Sequence, residues 1–193
     1  RSPDKYDITV FGSEPYGNYN RIMLSPVLTG EKTIEEIMIN DLAWYESNNI
    51  VLHAGAQKEI NHIDRLKKSV TAKDGTSVHY DRLLIATGST PFIIPLPGHQ
   101  LEGVVAFRDI ADVDTMLTAA ETQKHAVVIG GGLLGLEAAN GLMKQGMDVT
   151  VIHNIDVLMN RQLDQPAAKM LELSLKERGL IQLAIHQYID IMN

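Results

Sequence analysis

Apolar and polar residues alternate along this chain in a way that predicts strands and helices in turn. In the first half the pattern predicts strands at 6–11, 50–53, 58–63, 69–72 and 77–80, helices at 33–39 and 41–47, and a loop at 17–21. The dipeptide Asp74-Gly75 predicts a tight hairpin turn between the last two of these strands. In the second half it predicts strands at 126–129, 148–153 and 180–185, and helices from Asp109 or Asp112 to Glu121, from the glycine cluster to Gln145, and from Asp164 to Gly179. Such alternation predicts an α/β fold with doubly wound parallel sheets and right-handed crossovers.

A wholly apolar run at 83–87 ends at Gly88 and has the pattern of a strand buried on both faces. Prolines and glycine at 91–98 follow it, which is typical of a crossing between domains. We therefore predict two Rossmann-like units, 1–102 and 103–193.

The glycine cluster after the strand at 126–129 carries the strongest chemical signal. Gly130, Gly132 and Gly135 occupy the three glycine positions of G-x-G-x-x-G. The first allows a tight turn, the second lets a pyrophosphate approach the backbone, and the third lets helix and strand pack closely. The helix that follows presents free N–H groups to phosphates. The alternative is a glycine-rich turn without a ligand.

Composition narrows the classes of partner. The 193 residues are 45% hydrophobic and 21% charged, with a net charge of −7 and no basic block. These values argue against nucleic acid or an anionic membrane as a partner. No apolar run approaches the ~20 residues that span a bilayer, and no signal-type segment opens the chain, so we expect a cytoplasmic protein. Cysteine is absent, which excludes disulfides and cysteine-ligated clusters within these residues.

The first half contains weaker signals of a second nucleotide site. Glu14 follows the first strand, where a Rossmann unit places the acid that binds a ribose hydroxyl. The glycine turn that should precede this strand is not in the chain. The stretch Ala86, Thr87 and Gly88 ends the apolar run, and Gly88 would let the backbone approach a cofactor. The alternatives are a solvated loop carboxylate for Glu14 and a plain turn at Gly88.

Several stretches together resemble the N-terminal flavin region of the large subunit of assimilatory NAD(P)H-dependent nitrite reductase. They are Asn18-Tyr19-Asn20-Arg21 with the following residues to Ser25, 28–33, 86–92, 107–108, 127–139 and 158–164. The pairing of Tyr-Asn-Arg with Arg-Gln-Leu-Asp is specific to this subfamily of the two-dinucleotide flavoprotein reductases. The resemblance covers about residues 6–179, and the tail at 181–193 does not look like the family's continuation.

The resemblance implies a route for electrons from NAD(P)H to FAD, then to an iron–sulfur cluster and siroheme, where nitrite becomes ammonia. The last two centres need cysteine ligands, so they would lie outside this chain. The implied partners are the rest of the large subunit and a small subunit. Because the flavin carries the redox chemistry, we assign no catalytic side chain, and no histidine pair has metal-ligand spacing, so we assign no metal.

On the flavin side, the resemblance implies that Glu14 binds the adenosine ribose of FAD. Arg21 and Ser25 would lie by the FAD pyrophosphate or the isoalloxazine edge, and a guanidinium suits a diphosphate because its planar fork offers paired donors. The alternative for Arg21 is a solvent-facing loop cation.

On the nicotinamide side, the resemblance implies that Glu137 faces the flavin–nicotinamide interface. Compensation of the helix dipole in the first turn is the alternative. His153 ends the second strand of this unit, where an acid would select NADH and an arginine NADPH. Coenzyme preference therefore stays open, with Arg161 as a candidate cation near that position or, alternatively, a surface charge.

Two other functions stay open. One is a stand-alone reductase for rubredoxin or ferredoxin, whose flavin region is similar. The other is a truncated, non-catalytic nucleotide-binding remnant, because the opening strand and its glycine turn, which would cradle the FAD pyrophosphate, are missing from both the sequence and the first predicted unit.

Overall fold

The computed structural model describes residues 5–179 and 181–184. Its described residues form two units: those up to residue 20 together with 37–90, and 21–36 together with those from 91 onward. Each unit is described by itself below. The predicted boundary after residue 102 between an FAD and an NAD(P) domain stays a prediction.

The strands in chain order are β1 Ile8–Gly12, β2 Asn18–Tyr19, β3 Met38–Asn40, β4 Ile50–Ala54, β5 Ile60–Asp64, β6 Ser69–Ala72, β7 Ser77–His79, β8 His125–Ile129, β9 Asp148–His153 and β10 Ile181–Ala184. The helices are α1 Leu24–Leu28, α2 Ile34–Ile37, α3 Leu42–Ser47, α4 Ile110–Thr122, α5 Leu133–Lys144 and α6 Gln165–Glu177, with 3₁₀ turns at Arg21–Met23 and Ala56–Lys58.

The first unit contains one parallel and three antiparallel strand pairings. β1 and β4 pair in parallel, with Ile8 opposite Ile50, and β5, β6 and β7 form an antiparallel sheet. The predicted Asp74-Gly75 hairpin turn lies between β6 and β7, with Gly75 at φ +86°. The Lys58 ammonium lies 2.6 Å from the Asp74 carboxylate, and its hydrogen bond lowers the pKa of that carboxyl.

Within the loop predicted at 17–21, Asn18 and Tyr19 instead form β2, which pairs with β3 in an antiparallel bridge. A Cβ atom at Gly17 would lie 2.1 Å from the carbonyl oxygen of Asn40, so glycine is required for this approach. The pairing joins residues nineteen and twenty-two positions apart, and a local pattern of polar residues could not reveal it. The helix predicted over 33–39 is correspondingly shorter, since β3 begins at Met38.

The buried strand predicted at 83–87 is also wrong. The structure assigns no strand there, and the residues are exposed, Leu84 to 87%. An apolar run buries itself as a parallel strand only if neighbouring strands and helices cover it. Within the described residues, no strand pairs with this run.

The second unit contains the parallel sheet that positions the glycine cluster. Its strand order is β10-β9-β8, with β9 central and parallel to both neighbours. This order matches the 3-2-1 half of a Rossmann sheet. The predicted strands at 126–129 and 148–153 are confirmed; of the strand predicted at 180–185, the ends at 180 and 185 lie outside the described residues.

Capping residues mark the ends of the helices of this unit. The Asp109 side chain accepts from the Asp112 backbone N–H, and Asp112 bonds back to the Asp109 N–H, a capping box at the start of α4. Asp164 caps α6, and Gly146 follows α5 at φ +87°. The short helix α1 packs on α5: Leu28 is fully buried, and the Gln145 side chain donates to its carbonyl oxygen at 2.7 Å.

Candidate functional site

The glycine cluster forms the turn between β8 and α5. Gly130 has φ +125°, a left-handed conformation that favours glycine. Its N–H donates to the carbonyl oxygen of Ile152 at 2.8 Å, which extends the β8–β9 pairing by one bond beyond Ile129. The turn therefore begins directly at the edge of the parallel sheet, beside the end of β9.

Gly135 brings α5 onto this turn. A Cβ atom there would lie 2.0 Å from the carbonyl oxygen of Gly130 and 3.5 Å from a methyl carbon of Val128. Real Cβ atoms do not approach a backbone oxygen so closely, so any larger residue forces helix and strand apart. Gly135 thus has the packing role that the third glycine of the pattern predicts.

Gly132 lies in open space at the start of α5. It is the N-cap residue, with no side-chain cap, and a Cβ atom placed on it would meet nothing within 4 Å. The first N–H groups of a helix have no partner within the helix, and they favour anions such as phosphate. The uncovered turn fits a dinucleotide pyrophosphate, which is the group that the motif predicts.

Gly131 has a role that the motif does not explain. A Cβ atom there would lie 2.5 Å from a methyl carbon of Leu158 and 2.9 Å from ring carbons of His153. The Met159 N–H also donates to the Gly131 carbonyl oxygen at 2.9 Å. The segment 154–164 between β9 and α6, named here the β9–α6 segment, is therefore attached to the glycine turn. The only sequence signal was the extra glycine itself.

His153 lies at this junction. It ends β9 and packs against Gly131. Its Nε2 atom is buried and has no hydrogen-bond partner among the described residues.

Glu137 is the fifth residue of α5, and the hydroxyl of Ser25 donates to its carboxylate. The dipole alternative placed Glu137 in the first turn of the helix, and this is wrong, because the first turn of α5 contains no acidic residue. Two residues predicted as cofactor contacts, far apart in sequence, are therefore hydrogen-bonded within the second unit.

Arg21 also belongs to the second unit. Its guanidinium donates to the carbonyl oxygen of Arg108 at 2.5 Å. The Arg21 guanidinium lies near the Asp112 carboxyl. Burial raises the pKa of Asp112, and the Asp109 charge raises it further. Hydrogen bonds from the Arg108 and Asp109 backbone N–H groups, together with the Arg21 charge, partly oppose this rise. Arg21 is half-buried, so it is not the solvent-facing loop cation that was the alternative for this residue.

Glu14 lies in the first unit, two residues after β1. The hydroxyl of the buried Tyr19 donates to its carboxylate at 2.5 Å, and its backbone oxygen accepts from the Gly55 N–H at 3.1 Å. These bonds hold a carboxylate at the end of a parallel strand, the position of a ribose-binding acid. Ala86, Thr87 and Gly88 lie in the exposed run of the same unit, with Gly88 at φ +70°.

The predicted site residues thus fall into two groups. Those of the second unit are Arg21, Ser25, Gly130, Gly132, Gly135, Glu137 and His153; those of the first are Glu14, Ala86, Thr87 and Gly88. Among residues 5–179 and 181–184, one strand–glycine–helix turn of dinucleotide type is present, the one after β8. Within the same residues, no three His, Cys, Asp or Glu side chains cluster as metal ligands, and no helix has the length and apolar character to cross a bilayer.

Comparison with known proteins identifies the family to which this chain belongs. The pyridine nucleotide-disulphide oxidoreductase profile matches residues 1–189. The chain is 49% identical, over 98% of its length, to a nitrite reductase [NAD(P)H] of Bacillus subtilis (strain 168), and 45% identical, over 91%, to an assimilatory nitrate reductase electron transfer subunit of the same organism. It covers only 23% and 22% of those two proteins. The predicted resemblance to nitrite reductase is confirmed.

Solved structures share the fold. NADH:rubredoxin oxidoreductase from Clostridium acetobutylicum matches 92% of this chain with a TM-score of 0.82 and 29% identity, and the match covers 46% of that chain. A NAD-dependent persulfide reductase from A. fulgidus matches 94% with a TM-score of 0.86 and 28% identity, over 35% of its length. The predicted dinucleotide-binding α/β fold is confirmed.

Proposed function

Because this chain belongs to the pyridine nucleotide-disulphide oxidoreductase family, we propose that it is the electron-entry part of an NAD(P)H-dependent nitrite reductase. In this role it would bind NAD(P)H and pass its hydride to FAD. Nitrite would be reduced to ammonia at an iron–sulfur cluster and siroheme outside this chain. The rest of the large subunit, and a small subunit, are the proposed partners.

One observation carries the proposal: the turn after β8 fits a dinucleotide pyrophosphate. Gly132 leaves the start of α5 uncovered, and Gly135 lets α5 approach the carbonyl oxygen of Gly130. Backbone N–H groups at the start of α5 would donate to the pyrophosphate in this site. Glu137, whose carboxylate accepts from the Ser25 hydroxyl, would face the flavin–nicotinamide interface.

For the flavin, Glu14 would accept hydrogen bonds from the adenosine ribose of FAD. The Tyr19 bond supports this role because it fixes the carboxylate. Arg21, Ser25 and 86–88 remain proposed flavin contacts. When bound, FAD supplies the two-electron chemistry, and the protein contributes orientation and a dry contact.

We further propose that a strand and glycine turn outside this chain complete the unit of residues 1–102. Two features support this. The apolar run at 83–87 is exposed. Ile8 of β1 is also exposed, and among the described residues β1 pairs with β4 alone. Parallel strands normally lie in larger sheets that are covered on both faces. Without that strand, tight FAD binding by the 193 residues alone is not expected.

A second candidate is a stand-alone reductase for a small electron-transfer protein. The similarity to NADH:rubredoxin oxidoreductase favours it. We call the proposed full-length protein, of which this chain would be the electron-entry part, the longer protein. Its turnover with rubredoxin, ferredoxin and nitrite as electron acceptors separates the two candidates. Turnover with rubredoxin or ferredoxin but not with nitrite contradicts the nitrite reductase proposal.

The direct test is NAD(P)H binding by the chain with Gly132→Val as the variant. We expect titration calorimetry to show binding by the native chain and loss of at least tenfold in affinity in the variant, because the side chain fills the pyrophosphate cradle. Circular dichroism should be unchanged, since Gly132 has no neighbour within 4 Å. Equal affinity in both chains contradicts the proposed site.

A further inference from the structure

We propose that Met159 is a positioning residue for the pyrophosphate site. Its backbone N–H fixes the orientation of the peptide between Gly131 and Gly132, so that the Gly132 N–H is available to the ligand. The inference deepens the proposed function and rests on it, since it concerns how the same dinucleotide site is held in its binding conformation. It gives the β9–α6 segment, which lies outside the glycine pattern, a role in binding.

The peptide between Gly131 and Gly132 needs a constraint from outside the turn. Glycine has no Cβ atom and adopts many backbone conformations at little steric cost, so a peptide flanked by two glycines rotates easily as a unit. In one orientation its N–H faces the ligand. In the opposite orientation its carbonyl oxygen does, and that oxygen repels a phosphate. The orientation of this peptide therefore affects how well the start of α5 binds an anion.

The Met159 N–H supplies this constraint. It donates to the Gly131 carbonyl oxygen at 2.9 Å. The peptide is trans, and the C=O and N–H groups of a planar trans peptide point in opposite directions. The Gly132 N–H therefore points away from Met159. It forms no hydrogen bond with residues 5–179 or 181–184, and a Cβ atom on Gly132 would meet nothing within 4 Å.

The backbone of Met159 has an unusual conformation. Its φ of +50° lies in the left-handed region, which residues other than glycine rarely adopt. Such strain persists only where the surrounding structure imposes it, and it clusters at functional sites. The Met159 carbonyl oxygen accepts from the N–H groups of Gln162 at 2.8 Å and Leu163 at 2.9 Å. The neighbouring Leu158, 2% exposed, packs on Gly131. Contacts on both sides of Met159 thus hold its N–H on the glycine turn.

The test removes one backbone N–H at a time. Replacing Met159 by its α-hydroxy acid analogue turns the amide into an ester, which deletes the N–H and keeps the side chain. Titration calorimetry of the 193-residue chain measures the affinity of ADP-ribose, which carries the pyrophosphate without the nicotinamide. We expect the ester at Met159 to weaken binding about tenfold, the order of one hydrogen bond to a charged group, because the Gly132 N–H is no longer held toward the ligand.

The ester analogue at Gln162 is the matched control. It deletes one N–H bond to the Met159 carbonyl oxygen in the same turn and should keep native affinity, since the bond from Leu163 remains. Met159→Gly retains the backbone N–H and adopts a positive φ without steric cost, so it should also bind ADP-ribose with native affinity. If the role of Met159 were merely structural, affinity would follow stability in all three chains, and urea unfolding measures that stability.

Nuclear magnetic resonance gives a second readout. In the native chain the Gly132 amide proton should shift downfield when ADP-ribose binds, and this shift should be smaller in the ester at Met159. The Met159 amide of the native chain should also exchange with solvent more slowly than that of the exposed Asn160, which tests the inference even if the ester does not fold.

Two kinds of failure are distinguishable. Equal ADP-ribose affinity of the native chain and the Met159 ester, an unshifted Gly132 amide, or a Met159 amide that exchanges as fast as that of Asn160 overturns the inference while the dinucleotide site stands. Failure of the native chain to bind ADP-ribose overturns the site and the inference together.

Discussion

Three glycines of the cluster after β8 have different physical roles. Gly132 leaves open space at the start of α5, Gly135 leaves space for a backbone oxygen, and Gly131 leaves space for the side chains of Leu158 and His153. Substitution at each position should therefore change a different property.

Gly135→Ala should destabilise the fold by about 1–3 kcal/mol, the usual cost of overpacking, because its Cβ would lie 2.0 Å from the Gly130 carbonyl oxygen. Urea unfolding measures the change. Gly132→Ala is the matched control and should unfold at nearly the native urea concentration. Equal stability of the two variants would contradict the packing role of Gly135.

At the residue scale, the sequence predicted that the glycine cluster is structurally important, but it did not predict the role of every glycine in it. The spacing of Gly130, Gly132 and Gly135 suffices because each role in G-x-G-x-x-G depends on the local backbone. The role of Gly131 depends on Leu158, twenty-seven positions away by residue number, and on its packing. The Ser25–Glu137 bond is equally non-local, so the sequence suggested both residues without revealing that they touch.

Asp112 should make stability depend on pH. Burial raises its pKa, so the folded chain binds this proton more tightly than the unfolded chain. The stabilisation is fully present below the unfolded pKa, about 3.9, and is lost as pH rises through the folded pKa. From about pH 4 to 7, the native free energy of unfolding should fall relative to that of Asp112→Asn, which cannot ionise.

Urea unfolding of both chains at several pH values measures this difference. The subtraction removes the contribution of other titrating groups. A difference that stays constant across the range would show that burial does not affect this carboxyl.

At the scale of elements, α1 and α5 meet at a residue where helix propensity and packing disagree. Gly141 lies inside α5, where alanine would ordinarily be favoured by about 1 kcal/mol. Its Cβ would lie 2.5 Å from both Cγ and a methyl carbon of Leu28, which is fully buried.

We expect packing to prevail, so that Gly141→Ala lowers the free energy of unfolding by about 1 kcal/mol. Chemical unfolding monitored by circular dichroism gives the value. Lys144→Ala, at an exposed position of the same helix, should be nearly neutral. A more stable Gly141→Ala chain would mean that α1 shifts freely on α5.

Elements with strong local signals were predicted well, and those that depend on a distant partner were not. Asp109 and Asp164 cap α4 and α6, and Asp74-Gly75 forms the turn between β6 and β7, because caps and turns need only nearby atoms. β2 needs β3, and the run at 83–87 needs a neighbouring strand. In both cases the residues of the segment alone do not reveal whether a partner strand lies beside it.

At the scale of the whole molecule, the exposed apolar run should become buried in the longer protein. Leu84→Asp should have little effect on the stability of the 193-residue chain, since Leu84 is 87% exposed. In the longer protein the same change should reduce bound FAD at least severalfold, because a carboxylate would be buried without a partner. Flavin absorbance per polypeptide measures the loss.

Leu66→Asp is the matched control, at a leucine that is 98% exposed in the turn between β5 and β6. It should leave the flavin content of the longer protein unchanged. If both variants retain full flavin, the run at 83–87 is not covered by a further strand, and the proposal for residues 1–102 fails.

The bond between Met159 and Gly131 joins two main-chain atoms. The turn that carries Asn160 and Arg161 is thus fastened without using either side chain, so both can be exchanged while the phosphate cradle keeps its shape. We therefore expect substitutions at either position to leave the backbone of the glycine turn unchanged.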